Sequence, residues 1–453
     1  MKKAIKKIFL SLLSFVLLFT SCFFFTGCGN RDEVLRLYVP GEYIPDEVLY
    51  GDEENGVEGF ENWYKRVTGK NITVKKKEFD TNETMYTMVA VKRQDFDVIC
   101  PSDYMVERLK NEGLLQKVSS DIASDIKASV LGDDEGTGIY PNQGLLDLIE
   151  YDPDLQYTAP YMWGTMGIMY YFGGDQTDSQ AVLDADEAKS SWNTLFDVTK
   201  QNIYMKDSER DCYTIALFHH YYDQLKEYSN NFTNFNDPRY QALLDEIFTK
   251  GTDISGKIDS AKNILQNQKK YVYDYETDEG KDDLLTSKGE QGYYGMFWSC
   301  DAGYIMADWS TGDVVYNENF RYIVPEEGSN VWIDSFCIPK YAGNKSAAEM
   351  FMLYMSDPDV AFSCMDYAGC TSANYQTTLD YYDYLMDPEE NEAFSQTSQA
   401  FQAMYLSLMF PNLDIALGDY YFESPLNKCG VMRDLGPKAS DELLIMWSIL
   451  RRY

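Results

Sequence analysis

The chain has 453 residues, of which 45% are hydrophobic and 15% are aromatic, and this composition argues against disorder over most of its length. Its 39 basic and 73 acidic residues give a formal net charge of −34 at pH 7. That charge argues strongly against nucleic-acid or anionic-lipid binding through the folded body, because both need basic patches. An acidic surface suits a cationic solute, but such surfaces mostly serve solubility.

The first thirty residues have the pattern of an export signal. A basic segment, residues 1–7, precedes an apolar run over residues 8–25, and the chain turns abruptly polar after Cys28. This pattern predicts a cleaved signal over residues 1–27 and a short tether over residues 28–33. A retained membrane anchor is the less favoured alternative, because about eighteen apolar residues only just span a bilayer.

The cysteines and histidines give no metal signature. Seven of the nine cysteines follow the leader without any Cys-x-x-Cys pair, and the only histidines are the adjacent His219 and His220. The sequence therefore predicts no metal site and no cofactor. An odd number of scattered thiols in an exported protein points away from a disulfide framework, and we expect most of them to be small core residues.

From residue 34 the chain alternates predicted strands and helices. Strands are predicted at 34–39, 72–79 and 96–100, with helices around 57–67 and after Asn82. This alternation predicts an α/β fold, with a mostly parallel sheet and helices on both faces.

Polar and aromatic side chains follow these strands. Tyr43 comes soon after the first strand, and Ser102, Asp103 and Tyr104 follow the third. Ligands of such folds bind beyond the carboxyl ends of the strands, so these residues are candidates for a binding site. Ser102 has an equally weighted structural interpretation as the N-cap of the next helix, and one residue can do both.

The middle of the chain predicts a second unit. Residues 159–168 are apolar with glycines, which suits a strand that crosses between units and can hinge. A strand at 203–205 ends in the charged residues 206–211, which lead into a helix. Asp207 and Asp211 are candidate ligands there, with the equally weighted alternative that they complement the helix dipole.

The most unusual stretch is residues 329–338. A turn at 325–328 predicts that this stretch is the second strand of a hairpin that begins at 320–324. Asp334 in the middle of an apolar strand is expensive to bury without a partner. Beside Trp332 it places a carboxylate next to an aromatic face, which suits an organic cation. The alternative that Asp334 caps a neighbouring loop has even weight.

Five motifs in order carry a resemblance to a known family. They are Asn82-Glu83-Thr84-Met85-Tyr86, Asp97-Val98 with Pro101-Ser102, Asn111-Glu112-Gly113-Leu114-Leu115-Gln116-Lys117, Pro160-Tyr161-Met162-Trp163-Gly164, and Trp332-Ile333-Asp334-Ser335 with Ile338-Pro339. With this order and spacing, the chain resembles the spermidine/putrescine-binding proteins of bacterial ABC transporters. In addition, Thr26-Gly27-Cys28 resembles the lipobox of bacterial lipoproteins, which implies acylation of Cys28, with Cys22 as an earlier candidate.

The resemblance implies a two-lobed clamshell that closes on its ligand, each lobe being a mostly parallel sheet flanked by helices. It suggests lobe 1 at residues 34–163 and 333–379, and lobe 2 at residues 164–332 and 380–453. The implied function is that of a lipid-anchored, extracytoplasmic and monomeric binding protein. It would deliver a polyamine to the permease subunits of an ABC transporter, without being an enzyme.

In the family, aromatic walls flank the polyamine and carboxylates bind its ammonium groups. The positions that match those residues are Tyr43, Ser102, Tyr104, Asp211, Trp298, Trp332 and Asp334. Three sites depart from the family pattern, with Pro40-Gly41 for a tryptophan-threonine pair, Ser208 for an aspartate and Cys370 for a tyrosine.

These departures leave the solute open among a polyamine, a shorter diamine, a modified amine and another small molecule. Asp103, Asp207, Ser208 and Cys370 are kept as further candidates. The alternative of a different class is a secreted hydrolase that uses the paired carboxylates of Asp207 and Asp211. The sequence around them offers no nucleophile, metal site or matched base.

Overall fold

The computed structural model describes residues 31–52, 56–133, 142–248, 254–276, 279–308 and 314–452. The predicted signal and the lipidation candidates Cys22 and Cys28 lie outside these residues. Within these residues, no helix is both long enough and apolar enough to cross a membrane.

The chain alternates helices and strands throughout. The strands are β1 (Val34–Pro40), β2 (Thr73–Phe79), β3 (Val98–Ile99), β4 (Leu115–Gln116), β5 (Thr158–Tyr171), β6 (Ile203–Lys206), β7 (Val272–Glu276), β8 (Tyr294–Trp298), β9 (Ala307–Asp308), β10 (Val315–Tyr316), β11 (Phe320–Ile323), β12 (Ser329–Pro339), β13 (Thr371–Ser372), β14 (Ile415–Leu417), β15 (Tyr420–Phe422) and β16 (Cys429–Val431). The helices are α1 (Asp46–Tyr50), α2 (Gly59–Thr68), α3 (Asn82–Tyr86), α4 (Asp103–Asn111), α5 (Ser120–Leu131), α6 (Gln143–Leu148), α7 (Ser179–Glu187), α8 (Glu209–Tyr228), α9 (Pro238–Phe248), α10 (Ser255–Lys269), α11 (Glu279–Asp283), α12 (Ser299–Met306), α13 (Lys345–Met355), α14 (Pro358–Ala368), α15 (Tyr375–Met386), α16 (Glu392–Ser395), α17 (Gln399–Met409) and α18 (Gly436–Arg452).

The two longest strands, β5 and β12, form the centre of a 12-stranded sheet. Along the sheet the order is β2-β1-β3-β12-β5-β8-β6-β7. The three strands on the β2 side are parallel to one another, and so are the three on the β7 side. The central strands are antiparallel to each other and to their outer neighbours. The parallel pattern predicted from strand–helix alternation is thus found on the two sides of the sheet and in the pairing of β16 with β12.

Two apolar cores flank this sheet and give the two-lobed α/β fold. The first core packs β1 to β3 with α1 to α6 and α13 to α17. The second packs β6 and β8 with α8 to α10 and α18. Strand β5 contributes to both, with Trp163 in the first core and Met166 in the second. Phe297 and Ile305 also belong to the first core, so apolar packing runs across the suggested lobe boundaries, which stay a prediction.

The predicted hairpin of residues 320–324 with 329–338 is wrong. Both segments are strands, but β11 and β12 each pair antiparallel with β5 instead of with each other. Phe320 lies opposite Tyr171 and Val331 opposite Thr165, so the two strands follow one another along one edge of β5. The intervening loop does not reverse the chain, because the fully buried Glu327 accepts hydrogen bonds from Ser191 Oγ and Trp192 N and fixes the loop against the second lobe.

The expectation of no disulfide is wrong for one pair. Cys300 and Cys370 form a disulfide although they are 70 residues apart in the chain. Strands β8 and β13 pair with the same edge of β5, where Trp298 lies opposite Met166 and Thr371 opposite Trp163. The cysteines next to these strands therefore meet. The other five cysteines of the described residues are free and buried, as expected of small core residues.

The turn that holds Cys370 depends on Gly369. This residue ends α14 with a φ of 65°, in the left-handed region that favours glycine. A Cβ at this position would lie 2.6 Å from the backbone nitrogen of Tyr304. The close approach brings the first turn of α12, which includes Cys300, against Cys370.

A buried ion pair joins the elements around β11. Arg321 is fully buried, and its Nε and Nη2 donate to the two carboxylate oxygens of Asp186 at 3.1 and 2.6 Å. The hydroxyl of Tyr170 donates to the same carboxylate at 2.6 Å, and Arg321 Nη1 donates to the carbonyl of Ala400 at 2.9 Å. These bonds connect β5, β11, α7 and α17.

We predict that Asp186→Asn lowers the free energy of unfolding by about 3–5 kcal/mol, because it leaves the charge of Arg321 buried and unpaired. Chemical denaturation followed by tryptophan fluorescence measures this change. The double variant Asp186→Leu, Arg321→Met removes both charges and should lose less. A single variant within about 0.5 kcal/mol of the parent would contradict the prediction.

We predict that the protein from residue 31 onward, unfolded without reductant, titrates as five free thiols, and as seven after reduction. Replacing both Cys300 and Cys370 with serine should lower the free energy of unfolding by about 2–4 kcal/mol, the typical contribution of a disulfide. Cys337→Ser replaces a cysteine that is free, and it should leave six thiols after reduction and four before. Seven thiols without reductant would contradict the disulfide.

Candidate functional site

The candidate residues converge on one cavity of about 240 Å³. All eleven line it, namely Tyr43, Ser102, Asp103, Tyr104, Asp207, Ser208, Asp211, Trp298, Trp332, Asp334 and Cys370. The segments that follow β1, β3, β6 and β8 meet here, which is the edge of the sheet where a ligand was expected. Shared lining shows the location of these residues, while their contact with a ligand stays a prediction.

Asp334 is half-buried, whereas the other ten residues of β12 are buried. Its Oδ2 accepts a hydrogen bond of 2.7 Å from the hydroxyl of Tyr43. Its Oδ1 is shielded from solvent and accepts no hydrogen bond from any described residue. Burial raises the pKa of Asp334 to about 6, against the opposing effect of the Ser102 and Tyr43 hydroxyls. Asp334 thus offers a free acceptor to the cavity.

The backbone around Asp334 fixes this orientation. The register of β12 against β5 shifts between Asp334 and Ser335, and Asp334 forms an isolated antiparallel bridge with Ser102. A register shift of this kind re-aims the side chains beside it. Tyr43 is held in turn by Tyr161, whose hydroxyl donates to the Tyr43 carbonyl at 2.6 Å.

Ser102 and Asp103, which follow β3, make hydrogen bonds that the sequence did not predict. Asp103 accepts hydrogen bonds from the backbone nitrogens of Tyr104 and Ile333, at 2.6 and 3.1 Å, and ties α4 to β12. The carboxylate that accepts hydrogen bonds from backbone N–H groups here is therefore that of Asp103 and not that of Asp334. Ser102 occupies the N-cap position of α4 without a side-chain capping bond, and its hydroxyl accepts from Asn82 Nδ2 at 3.0 Å.

The two tryptophans form walls of the cavity. Trp332 is 8% exposed and donates its indole N–H to the carbonyl of Thr165 at 3.2 Å. Gly164 permits this packing, because a Cβ there would lie 2.8 Å from the indole ring of Trp332. Trp298 faces the ammonium group of Lys206, which lies 4.2 Å from its ring centroid and is paired with the buried Asp301 at 2.7 Å.

The charged residues after β6 divide into structural groups and cavity groups. The carboxylate of Asp207 accepts from Trp447 Nε1 at 3.0 Å and pairs with Arg451 at 3.0 Å, so it anchors α18. Ser208 caps α8 by accepting from the backbone nitrogen of Asp211 at 3.3 Å. Asp211 is 7% exposed, and burial raises its pKa to about 6. Of the two carboxylates, that of Asp207 is bonded to α18, and that of Asp211 is the candidate for contact with a ligand.

Sequence reasoning missed several charged residues of the lining. The most notable are Glu42, Glu83, Glu209, Arg210 and Lys281. They lie in charged runs or beside recognised candidates, and a single sequence gives no way to rank them. The hydroxyl of Tyr104 donates to Glu83 at 3.0 Å, while the guanidinium of Arg210 lies 5.0 Å from the Tyr104 ring. Burial raises the pKa of Glu209 to about 7, and the nearby charge of Glu83 adds to the shift.

The lining is strongly acidic. Its carboxyl groups are those of Glu42, Asp80, Glu83, Asp103, Asp207, Glu209, Asp211, Asp301 and Asp334, against the cations Arg210 and Lys281. The described residues contain no group of three or more His, Cys, Asp or Glu side chains that could hold a metal ion. Cys370 lines the cavity as half of the disulfide and so offers no thiol.

Comparison with known proteins agrees with this architecture. Residues 64–375 match the family model described as bacterial extracellular solute-binding protein. The spermidine/putrescine-binding periplasmic protein of Escherichia coli (strain K12) is 25% identical over 350 residues, which are 76% of this chain and 79% of that protein.

Two solved structures share the fold. A putative spermidine/putrescine ABC transporter protein from Listeria monocytogenes aligns with a TM-score of 0.61 and 22% identity, over 93% of this chain and 99% of that one. The Tp0655 (TpPotD) lipoprotein of Treponema pallidum aligns with a TM-score of 0.59 and 17% identity, over 93% of this chain and 100% of that one. At these identities the likeness shows the two-lobed fold alone.

The family match covers more than half of the chain. It decides between a solute-binding protein and a hydrolase. The hydrolase alternative is wrong, and Asp207, one of its two carboxylates, is bonded to Trp447 and Arg451 of α18. The chain belongs to the bacterial extracellular solute-binding proteins, which bind a solute for transport and are not enzymes.

Proposed function

We propose that the protein is the lipid-anchored binding component of an ABC transporter, and that it binds a polyamine between its lobes and delivers it to the permease. The observation that supports this most is the free Oδ1 of Asp334 in an acidic cavity. A buried acceptor without a donor costs free energy that a ligand N–H group can recover. An ammonium group supplies both the donor and the opposite charge.

The walls of the cavity suit the rest of such a ligand. A polyamine has methylene segments between its ammonium groups, and the indole of Trp332 provides an aromatic face beside Asp334. A cation over an aromatic face is stabilised by the ring quadrupole. Tyr43 and Ser102 present hydroxyl groups near the same carboxylate and would orient it.

Contacts between the lobes are compatible with closure around a ligand. Arg433 follows Met432 of the second core, and its guanidinium bonds Glu107 of α4 at 2.7 and 3.0 Å. It also bonds Glu150 at 2.6 Å. The hydrogen bonds from Arg433 lower the pKa of Glu107 despite the opposing effect of its burial. Closure would shield the cavity charges from water and strengthen their attraction for an ammonium group.

The relatives support the choice of solute. The Escherichia coli relative is a spermidine/putrescine-binding protein, and its alignment covers three quarters of this chain. The alternative is the same architecture with another small solute, because Pro40, Ser208 and Cys370 stand where the family has binding residues. Membrane attachment is supported by the leader with Cys28.

We predict that Asp334→Asn weakens amine binding by about 1.5–3 kcal/mol, the contribution of a charged hydrogen bond. Calorimetry with putrescine and with spermidine on the protein from residue 31 onward measures this loss. Asp366→Asn is the matched control, because burial raises the pKa of Asp366 to about 6 as well, yet Asp366 does not line the cavity. Its affinity should equal that of the parent.

Two outcomes would count against the proposal. The absence of heat with both amines, in a folded parent protein, would remove the polyamine assignment. An Asp334→Asn variant that binds as tightly as the parent would place the centre of the site elsewhere. A fluorescence screen over amines, amino acids and sugars would then identify the solute.

We predict that amine affinity falls as the pH is lowered from 8 to 5 and falls most steeply below pH 6, with the proton taken up by Asp334 accounting for up to about tenfold per pH unit. The pKa of Asp334 is raised to about 6, so its carboxylate takes up a proton in this range and loses the charge that attracts an ammonium group. Asp211 and Glu209 titrate nearby and add to the fall.

The measurement is calorimetry between pH 5 and pH 8. Asp334→Asn should make the fall in affinity shallower, leaving the part due to Asp211 and Glu209, and Asp366→Asn should retain the profile of the parent. An affinity of the parent protein that does not change between pH 7 and pH 5 would contradict the prediction.

A further inference from the structure

One part of the cavity already contains an ammonium group of the protein itself. Lys281 on α11 lines the cavity and is only 8% exposed. Its Nζ lies 3.3 Å from Oε2 of Glu42 and 4.6 Å from the ring centroid of Tyr304. Both partners also line the cavity. We call these three residues, Glu42, Lys281 and Tyr304, the Glu42 end.

The Glu42 end joins parts of the chain that the suggested lobe boundaries separate. Glu42 follows β1 and directly precedes Tyr43, which bonds Asp334. Lys281 and Tyr304 belong to α11 and α12, which lie 239 residues or more further along the chain. The lysine therefore pairs, across the suggested lobe boundary, with the residue that precedes Tyr43.

Two of the three departures from the family pattern, Pro40-Gly41 and Cys370, lie near this end. Pro40 and Gly41 directly precede Glu42, and Cys370 is bonded to Cys300 one turn before Tyr304. The backbone of Tyr304 contacts Gly369, the neighbour of Cys370. Tyr304 thus places an aromatic ring near Cys370, the position at which the family has a tyrosine. The ammonium group of Lys281 already lies over that ring.

The electrostatic contrast along the cavity follows from these contacts. Asp334 pairs with no lysine or arginine of the described residues, and its Oδ1 is without a donor. At the Glu42 end, by contrast, the carboxylate and the aromatic ring are both occupied by one ammonium group. A further ligand ammonium at this end would meet a like charge in a partly shielded site.

We propose that Lys281 is a specificity residue that restricts the ligand to a short amine, a diamine in preference to a triamine. The inference rests on the proposed binding of an amine at Asp334. One ammonium group of a diamine would bind Asp334, and the short chain would end before the Glu42 end. A triamine has an additional charged nitrogen that must approach Lys281 or displace it from Glu42 and Tyr304.

The variant that tests this inference is Lys281→Met, which removes the charge and keeps an unbranched side chain. It should fold, because methionine keeps the buried unbranched stem, and the Glu42 carboxylate that loses its partner is 67% exposed and stays hydrated. Lys281→Arg retains the charge. Lys288→Met is the matched control, since Lys288 lies over the rings of Tyr273 and Tyr293 outside the cavity lining.

Calorimetry with putrescine as the diamine and spermidine as the triamine measures the result. The parent protein should bind putrescine more tightly than spermidine. Lys281→Met should raise spermidine affinity by about tenfold or more, as expected when a like charge at short range is removed, and change putrescine affinity by less than about threefold. Lys281→Arg and Lys288→Met should both behave like the parent.

Three results would overturn the inference. One is a parent that prefers spermidine, and another is a Lys281→Met variant that gains equally for both amines or for neither. In both cases an amine still binds, so the proposed function would stand. The third is the absence of heat with both amines in the parent and in Lys281→Met, which would remove the proposed function and this inference together.

Discussion

A carboxylate removed from water needs donors for both of its oxygens, and Asp334 has a donor for only one. Tyr43 satisfies Oδ2, whereas Oδ1 remains without a partner in a cavity with a large excess of acidic groups. Folding alone does not relieve this cost, which is reflected in a pKa raised to about 6. The rest of the site is consistent with this unmet requirement, because hydroxyl groups and an indole face surround a position suited to a cation.

The antiparallel pair of β5 and β12 makes this arrangement possible. The two strands run through the centre of the sheet, and β5 packs in both apolar cores. One edge of β5 pairs with β12 and β11, and its other edge pairs with β13 and β8. The segments around the cavity that come from β8, β12 and β13 are therefore all fixed to one strand. The disulfide between Cys300 and Cys370 covalently joins two of these segments.

Local patterns were sufficient for much of the fold and for choosing candidate residues that line one cavity. The strand ends near Tyr43, Ser102 and Asp211 could be read from apolar runs and capping residues, and the oddness of Asp334 could be read from its apolar neighbours. All of these features depend on residues close in the chain. Their convergence on one cavity follows from the general rule that ligands bind beyond strand ends in α/β folds.

Features that depend on distant pairing could not be predicted in this way. The turn before β12 resembles a hairpin turn, but Glu327 is bonded to Ser191 and Trp192 and draws the chain away. The disulfide requires that β8 and β13 share an edge of β5, which cysteine spacing does not reveal. The contact of Lys281 with Glu42 joins residues 239 positions apart, which no local pattern reveals.

The most direct test of the central claim is a crystal structure of the protein with putrescine. The account predicts an ammonium nitrogen of the ligand within about 3 Å of Oδ1 of Asp334, as in charge-assisted hydrogen bonds, with the methylene chain beside Trp332. An amine bound elsewhere in the cavity, with Oδ1 still lacking a donor, would contradict it.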